Sequence, residues 1–504
     1  MTEIVQTEPR AGREAAAAPV LLHQLVGGRW VPGAGAELID RNPARPDEVV
    51  AHGRLAGADD LDAAVAAARA AFPGWTATPF PERGEILARA GDVLARQAEA
   101  WGTELAREEG KTRAEGVGEV RRAAQILRYY AAEGLRPVGE VFASTRPGEQ
   151  IQVLHRPVGV VAVVTPFNFP IAIPAWKIAP ALAFGNAVVW KPASTVPLLA
   201  MRLAEAFVEA GLPEGVLSLL IGPGAVGAAL VDHPGVDRVS FTGSTGVGRD
   251  LIARCGRLAR PIQTEMGGKN AAVVLADANL DLAVAEVVAG AFRSTGQKCT
   301  ATSRVIVTDR VAEEFLALLV ERVTALRVGD PLDARVQMGP LITASARDDV
   351  RAAVEAGLVR PGVTLLAGGE PYRDASRAAG AFLPPTVVEL AGDDPLWREE
   401  LFGPVLAVRR ARDDGHALDL ANDGAFGLAA AVFTDDLSAI TEAIRTLDVG
   451  VLHINSETAG ADPHVPFGGA KQSGFGPKEQ GRAAREFYTT TTTVYLRPST
   501  GGAR

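Results

Sequence analysis

Apolar residues recur at helical spacing over Leu61 to Ala71 and Ile86 to Leu105, and more faintly over Val117 to Ala131. Past Pro147 the pattern changes. Short β-branched runs, Val158–Val164, Ala187–Trp190, Val216–Ile221 and Arg238–Phe241, alternate with amphipathic stretches at Pro197–Ala210 and Ala225–Val231. Such alternation predicts a parallel, doubly wound sheet with ligand sites at the carboxyl ends of its strands. It restarts at Ala271–Leu275 and runs on through Asp281–Ala291, Ser303–Val307, Arg310–Arg327 and Leu437–Leu447, predicting a second α/β unit. The Thr-, Val- and Tyr-rich stretch Phe487–Arg497 reads as a late strand, paired with the alternating stretch around Ile151–His155. An isolated two-stranded ribbon is barely stable in water, so this flap should lie against another subunit.

Val158 to Trp176 carries no charge and is nearly long enough to cross a bilayer. Pro166, Pro170 and Pro174 interrupt it, and each would remove a helical hydrogen bond. It therefore reads as a buried strand, Val158–Val164, followed by an irregular loop, with no membrane partner.

A chain of 504 residues exceeds one ordinary core, so two or three domains are expected. Apolar content of 47% and charged content of 22% fit a soluble globular protein. A formal charge of −9 lacks the basic excess that nucleic acid demands. Two cysteines, Cys255 and Cys299, form no disulfide framework and suit a reducing cytoplasm. Seven scattered histidines without HExxH spacing give no metal site. Residues 1–20 lack the basic start and apolar run of a secretory signal and read as a flexible tail.

Three stretches carry the candidate chemistry. Cys299 lies in Gly296-Gln297-Lys298-Cys299-Thr300, Glu265 in Thr264-Glu265-Met266-Gly267-Gly268-Lys269, and Asn168 in Thr165-Pro166-Phe167-Asn168-Phe169-Pro170. A thiol attacks carbonyls but needs a base and an oxyanion donor, which a glutamate and an asparagine amide can supply. In this order and spacing the stretches resemble the aldehyde dehydrogenase superfamily, a resemblance running from about Leu25 to Tyr495.

The resemblance implies an aldehyde dehydrogenase-like fold. A Rossmann-type cofactor domain would take 21–136 and 159–266, a catalytic α/β domain 267–468, and a small β-flap for oligomerisation 137–158 and 484–500. A homodimer or homotetramer follows. It further implies that Cys299 adds to the aldehyde and that the Asn168 amide and the Cys299 N–H hold the oxyanion. A thioester then forms, which water activated by Glu265 releases as the acid. Glu479 matches a second carboxylate used by some members in proton relay; a surface charge is the alternative. Intact Cys299, Glu265 and Asn168 argue against a non-catalytic relative.

For the NAD(P) cofactor the resemblance points to Thr165, Pro166 and Phe167, to Lys191 and Ser194 at the adenosine ribose, and to Glu400 and Phe402 at the nicotinamide ribose. Two glycine turns compete for the phosphates: Gly222-Pro223-Gly224-Ala225-Val226-Gly227, and Gly243 with Ser244 opening a helix. In the family the second turn holds the pyrophosphate while the first, with Gly224, lies near the adenine; either cluster alone reads equally as a tight turn. Ser194 stands where strict NAD users carry a glutamate, which tips the expectation slightly to NADP over NAD. The narrower resemblance is to α-ketoglutaric semialdehyde dehydrogenases, through Gly296 to Arg304, Thr458-Ala459-Gly460, Pro466-Phe467-Gly468-Gly469 and Glu486-Phe487-Tyr488-Thr489. Arg293 would then grip a substrate carboxylate; a structural salt bridge is its alternative. Phe169, Trp176 and Phe467 equally suit an apolar pocket for an aromatic or aliphatic aldehyde.

Overall fold

The computed structural model describes residues 18–136 and 139–498. The expected tail lies outside the described residues as far as residue 17. Val20, the last residue of that expected tail, pairs with Ala51 in a strand.

The run Val160–Val164 is buried at every position, as a strand covered on both faces must be. It is central to an eight-stranded sheet whose five parallel members are Val160–Val164, Ala187–Lys191, Leu217–Leu219, Arg238–Thr242 and Ile262–Glu265. Numbered by sequence, their spatial order is 3-2-1-4-5. The order reverses between Val160–Val164 and Arg238–Thr242, and in such sheets ligands bind in the crevice outside that switch point.

The segment after Val164 is not an irregular loop throughout. A helix runs over Ala172–Ala183. Pro174 falls in its first turn, where no intrahelical N–H partner is required, so this proline starts the helix instead of breaking it.

After Glu265 the chain crosses from the carboxyl edge of this sheet to a second, seven-stranded one. Six of its strands are parallel, including Asn270–Val274, Thr302–Thr308 and Val405–Ala411. Cys299 directly precedes Thr302–Thr308, which sets it at the amino edge of the second sheet and over the carboxyl edge of the first. The strand Thr489–Leu496 pairs with Gln150–Pro157, placing Tyr495 opposite Ile151 and Thr491 opposite His155. The ribbon has a third strand, Gly139–Ala143, which the sequence pattern did not predict. Among the described residues no helix is long and apolar enough to cross a membrane.

Candidate active site

A cavity of about 800 Å³ opens at the switch point. Thr165, Pro166, Phe167 and Asn168 reach it from the end of Val160–Val164, and Gly243 and Ser244 from the end of Arg238–Thr242. Ser244 caps the helix Thr245–Arg257, its hydroxyl accepting from the Val247 N–H at 3.5 Å. A Cβ on Gly243 would come within 2.5 Å of the Phe241 ring, so the turn passes closer to that ring than any other residue could.

Lys191, Ala193 and Gly224 line one end of the cavity. The Lys191 side chain is buried, and no acceptor among the described residues meets its ammonium; burial pulls its pKa down to about 8. Ser194 is partly exposed and does not contribute to the wall; Ala193 stands there instead.

Glu400, Phe402 and Cys299 line the other end. The Glu400 carboxylate accepts from the Gly268 N–H at 2.9 Å, and a Cβ on Gly267 would lie 2.0 Å from its Oε2. Burial raises its pKa to about 7. Phe402 adopts φ +55° and meets Phe167 edge to face at 5.7 Å.

The Cys299 thiol is pushed up to about 12 by burial, with Glu400 and Glu265 adding to the effect. Its turn is held by Asn270, whose Nδ2 donates to the Cys299 carbonyl at 2.7 Å and to that of Ala301 at 2.9 Å. Asn168 faces the same space, its Nδ2 donating to the Gln297 carbonyl at 2.8 Å.

Glu265 is buried at the end of its strand, behind the cavity wall. Its Oε2 accepts from the Gly469 N–H at 3.1 Å, and a Cβ on Gly468 would lie 2.4 Å from its Oε1. Burial and then Glu479 hold its carboxyl well above the usual range, against the opposing pull of Lys177 and Lys478. Glu479 is itself buried, which removes the surface-charge reading. Lys177 donates to its Oε1, and the Trp176 indole N–H to its Oε2 at 2.7 Å.

The profile of the aldehyde dehydrogenase family matches residues 30–494. The chain belongs to that family. It is similar to the α-ketoglutaric semialdehyde dehydrogenase of Bacillus subtilis, with 40% identity over 94% of this chain and 97% of the relative. It is 41% identical to the 2,5-dioxopentanoate dehydrogenase of Saccharolobus solfataricus, over 94% of this chain and 99% of the relative. The crystal structure of betaine aldehyde dehydrogenase from Staphylococcus aureus in complex with NAD⁺ superposes with a TM-score of 0.91. That protein is 31% identical, over 96% of this chain and 97% of that one.

The remaining sequence candidates of this aldehyde dehydrogenase stand off the cavity wall. Phe467 is buried with its ring 5.6 Å from that of Trp176, and Phe169 packs under the Lys111 ammonium at 3.7 Å. Arg293 is 61% exposed and pairs with Glu457 at 3.2 Å, the salt bridge of the alternative reading. Sequence reasoning missed Lys177, Lys111 and Glu119. Lys177 had a signal: it is the first charge after the uncharged run Val158–Trp176. A lone buried lysine needs a buried carboxylate partner.

Proposed function

We propose that this aldehyde dehydrogenase oxidises a short semialdehyde bearing a distal carboxylate, of the α-ketoglutaric semialdehyde kind, with NADP or NAD. The observation that carries the reading is one cavity with Cys299, Asn168 and Glu400 at one end and, at the other, the Lys191 ammonium, which meets no acceptor among the described residues.

These residues fit a nicotinamide dinucleotide. Lys191 and Gly224 would hold the adenosine ribose, Gly243 and Ser244 the pyrophosphate, and Glu400 with Phe402 the nicotinamide ribose, while Thr165, Pro166 and Phe167 form the floor. When bound, the nicotinamide accepts hydride from the Cys299 adduct. Every other step belongs to the chain. Cys299 adds to the aldehyde carbon, and its oxyanion takes hydrogen bonds from the Asn168 amide and the Cys299 N–H. Loss of one such donor typically costs roughly 10²–10³ in turnover. Glu265 takes a proton from the water that cleaves the thioester, and Glu479 with Lys177 stabilises and drains that proton. Rates for a panel of charged and neutral aldehydes, each with NAD and NADP, test the reading as a whole. A preference for uncharged aldehydes would overturn the substrate class.

Two substitutions separate its parts. Ser194→Glu should shift preference toward NAD, since a carboxylate beside Lys191 would both neutralise the ammonium and repel a 2′-phosphate. The contact is worth about 1 kcal/mol with water between the charges, so a shift of roughly fivefold to tenfold is expected. An unchanged NADP/NAD ratio of kcat/KM would show that the position lies outside the ribose pocket, where Ala193 alone forms the wall.

Were Arg293 to leave Glu457 and grip the substrate carboxylate, Arg293→Leu would raise KM for ω-carboxylated semialdehydes relative to neutral aldehydes of equal length. A lost charged hydrogen bond of roughly 1.5–3 kcal/mol predicts a tenfold to hundredfold change in that ratio. Equal losses for both would leave Arg293 as the partner of Glu457 alone. They would favour the second reading, an aromatic or aliphatic aldehyde, which the packing of Trp176 on Phe467 supports.

We infer the same division of labour along the chain as expected: cofactor binding in 21–136 and 159–266, chemistry in 267–468, and assembly through 137–158 and 484–500. Residues 137, 138, 499 and 500 lie outside the described residues. Val141, Phe142 and Tyr495 are exposed on the three-stranded flap, which supports a homodimer or homotetramer. Two unpaired cysteines support a cytoplasmic setting.

A further inference from the structure

The helix Phe80–Glu109 ends in Gly110 (φ +97°), and the next helix, Arg113–Ala131, is capped by Thr112. Lys111 lies in this turn, and its side chain is 1% exposed. Its ammonium makes three contacts. It pairs with Glu119 at 2.7 Å, donates to the main-chain carbonyl of Asn168, and sits 3.7 Å above the Phe169 ring. Burial alone would lower the lysine's pKa, but Glu119 and Glu109 outweigh it and hold the ammonium above its ordinary value.

Glu119 extends the same grip. Its other oxygen accepts from the Ile171 N–H at 3.0 Å and the Ala172 N–H at 3.2 Å, capping a helix that has no side-chain cap of its own. One turn earlier, Glu115 accepts from the Ser294 N–H at 2.7 Å. Ser294 and Thr295 both adopt left-handed backbone, φ +53° and +55°, just before the nucleophile. Side chains at 115 and 119 share one helix face, so this turn and face hold the Asn168 loop and the Cys299 loop together.

We propose that Lys111 is a positioning residue for the oxyanion donor: it fixes the Asn168–Phe169 peptide so that the Asn168 amide faces the carbon bound to Cys299. The proposal rests on the reading of Asn168 as that donor. The carbonyl of Asn168 has no other partner among the described residues, so the ammonium is the one group that holds this carbonyl in place. A misplacement of about 1 Å near reacting groups can cost roughly 10² in rate.

A mutant cycle tests it. Lys111→Met should lower kcat by roughly 10-fold to 10²-fold with KM for the cofactor unchanged, and Lys111→Arg should recover part of the loss. Lys111→Met leaves Glu119 buried and unpaired, so the variant Lys111→Met/Glu119→Gln is made beside it. Melting temperature should recover in that variant while kcat stays low; recovery of both would assign the lysine to the fold alone and overturn the proposal. Failure of the double variant to fold would overturn it in the same way. In an Asn168→Ala background, Lys111→Met should cost little further kcat, because the group it positions is gone. Additive losses would mean that Lys111 acts elsewhere. If Asn168→Ala alone leaves turnover intact, the oxyanion reading itself fails, which is a distinct result.

Discussion

Cys299→Ser should leave the protein folded and still able to bind the dinucleotide, yet lower aldehyde turnover by roughly 10⁴-fold or more, as loss of a nucleophile does elsewhere. The hydroxyl occupies nearly the thiol's volume, so packing around Asn270 and Gly268 is kept. Reactivity is not kept, because the thiolate is the nucleophile and serine's hydroxyl ionises far less readily. The site is already demanding for sulfur. Burial, Glu400 and Glu265 hold the thiol near 12, so it rests protonated in the neutral range. A companion measurement follows, since a raised pKa means the thiolate fraction keeps growing with pH. Alkylation of Cys299 in the cofactor-free protein should be slow at neutral pH and rise with pH without levelling there. Cys255 should stay silent beside it, being buried in the core. Dinucleotide titration and steady-state rates on the same preparations separate binding from chemistry. Turnover of the serine variant within tenfold of the parent would place the nucleophile elsewhere.

How far the sequence revealed this site depended on the range of each signal. Val160–Val164 was legible because a fully buried parallel strand is an unbroken apolar run, and the turn after it carries Thr165 to Asn168. The helix Ala172–Ala183 was not, because Pro174 reads as a breaker until its place in the first turn is known. The strands Gln24–Val26 and Arg29–Val31 are three residues each, too short to show a period. Arg293 lies six residues from Cys299, a spacing that says nothing about direction. Ser294, Thr295 and Gly296 all have positive φ, and this turn separates the arginine from the cavity and leaves it on Glu457. The partners of Glu479 were out of reach for another reason. Lys177, on the helix Ala172–Ala183, is 302 positions away in sequence, and only the return of the C-terminal segment, where Glu479 bridges Phe467, brings the two together.

Glu265→Gln should retain a stoichiometric burst of reduced cofactor and then stall, with the steady-state rate falling by roughly 10²–10⁴-fold, the usual worth of a general base. The amide keeps the shape and can still accept from the Gly469 N–H, so the strand end and Gly468 need not move. It cannot take a proton from water. The parent carboxyl is raised well above its ordinary value by burial and by Glu479, so it is largely neutral below that raised pKa and becomes a base above it. The steady-state rate of the parent should therefore climb as pH rises through that raised pKa, and this limb should vanish in the variant. A small added nucleophile such as hydroxylamine, which needs no deprotonation to attack a thioester, should restore turnover in the variant far more than in the parent. Lys177→Met makes the complementary case: removing the charge that pulls the Glu265 carboxyl down should favour its neutral form and move the parent's rising limb to higher pH. Burst and steady state falling together in Glu265→Gln would mean that the carboxylate acts on the Cys299 thiol, before any thioester exists.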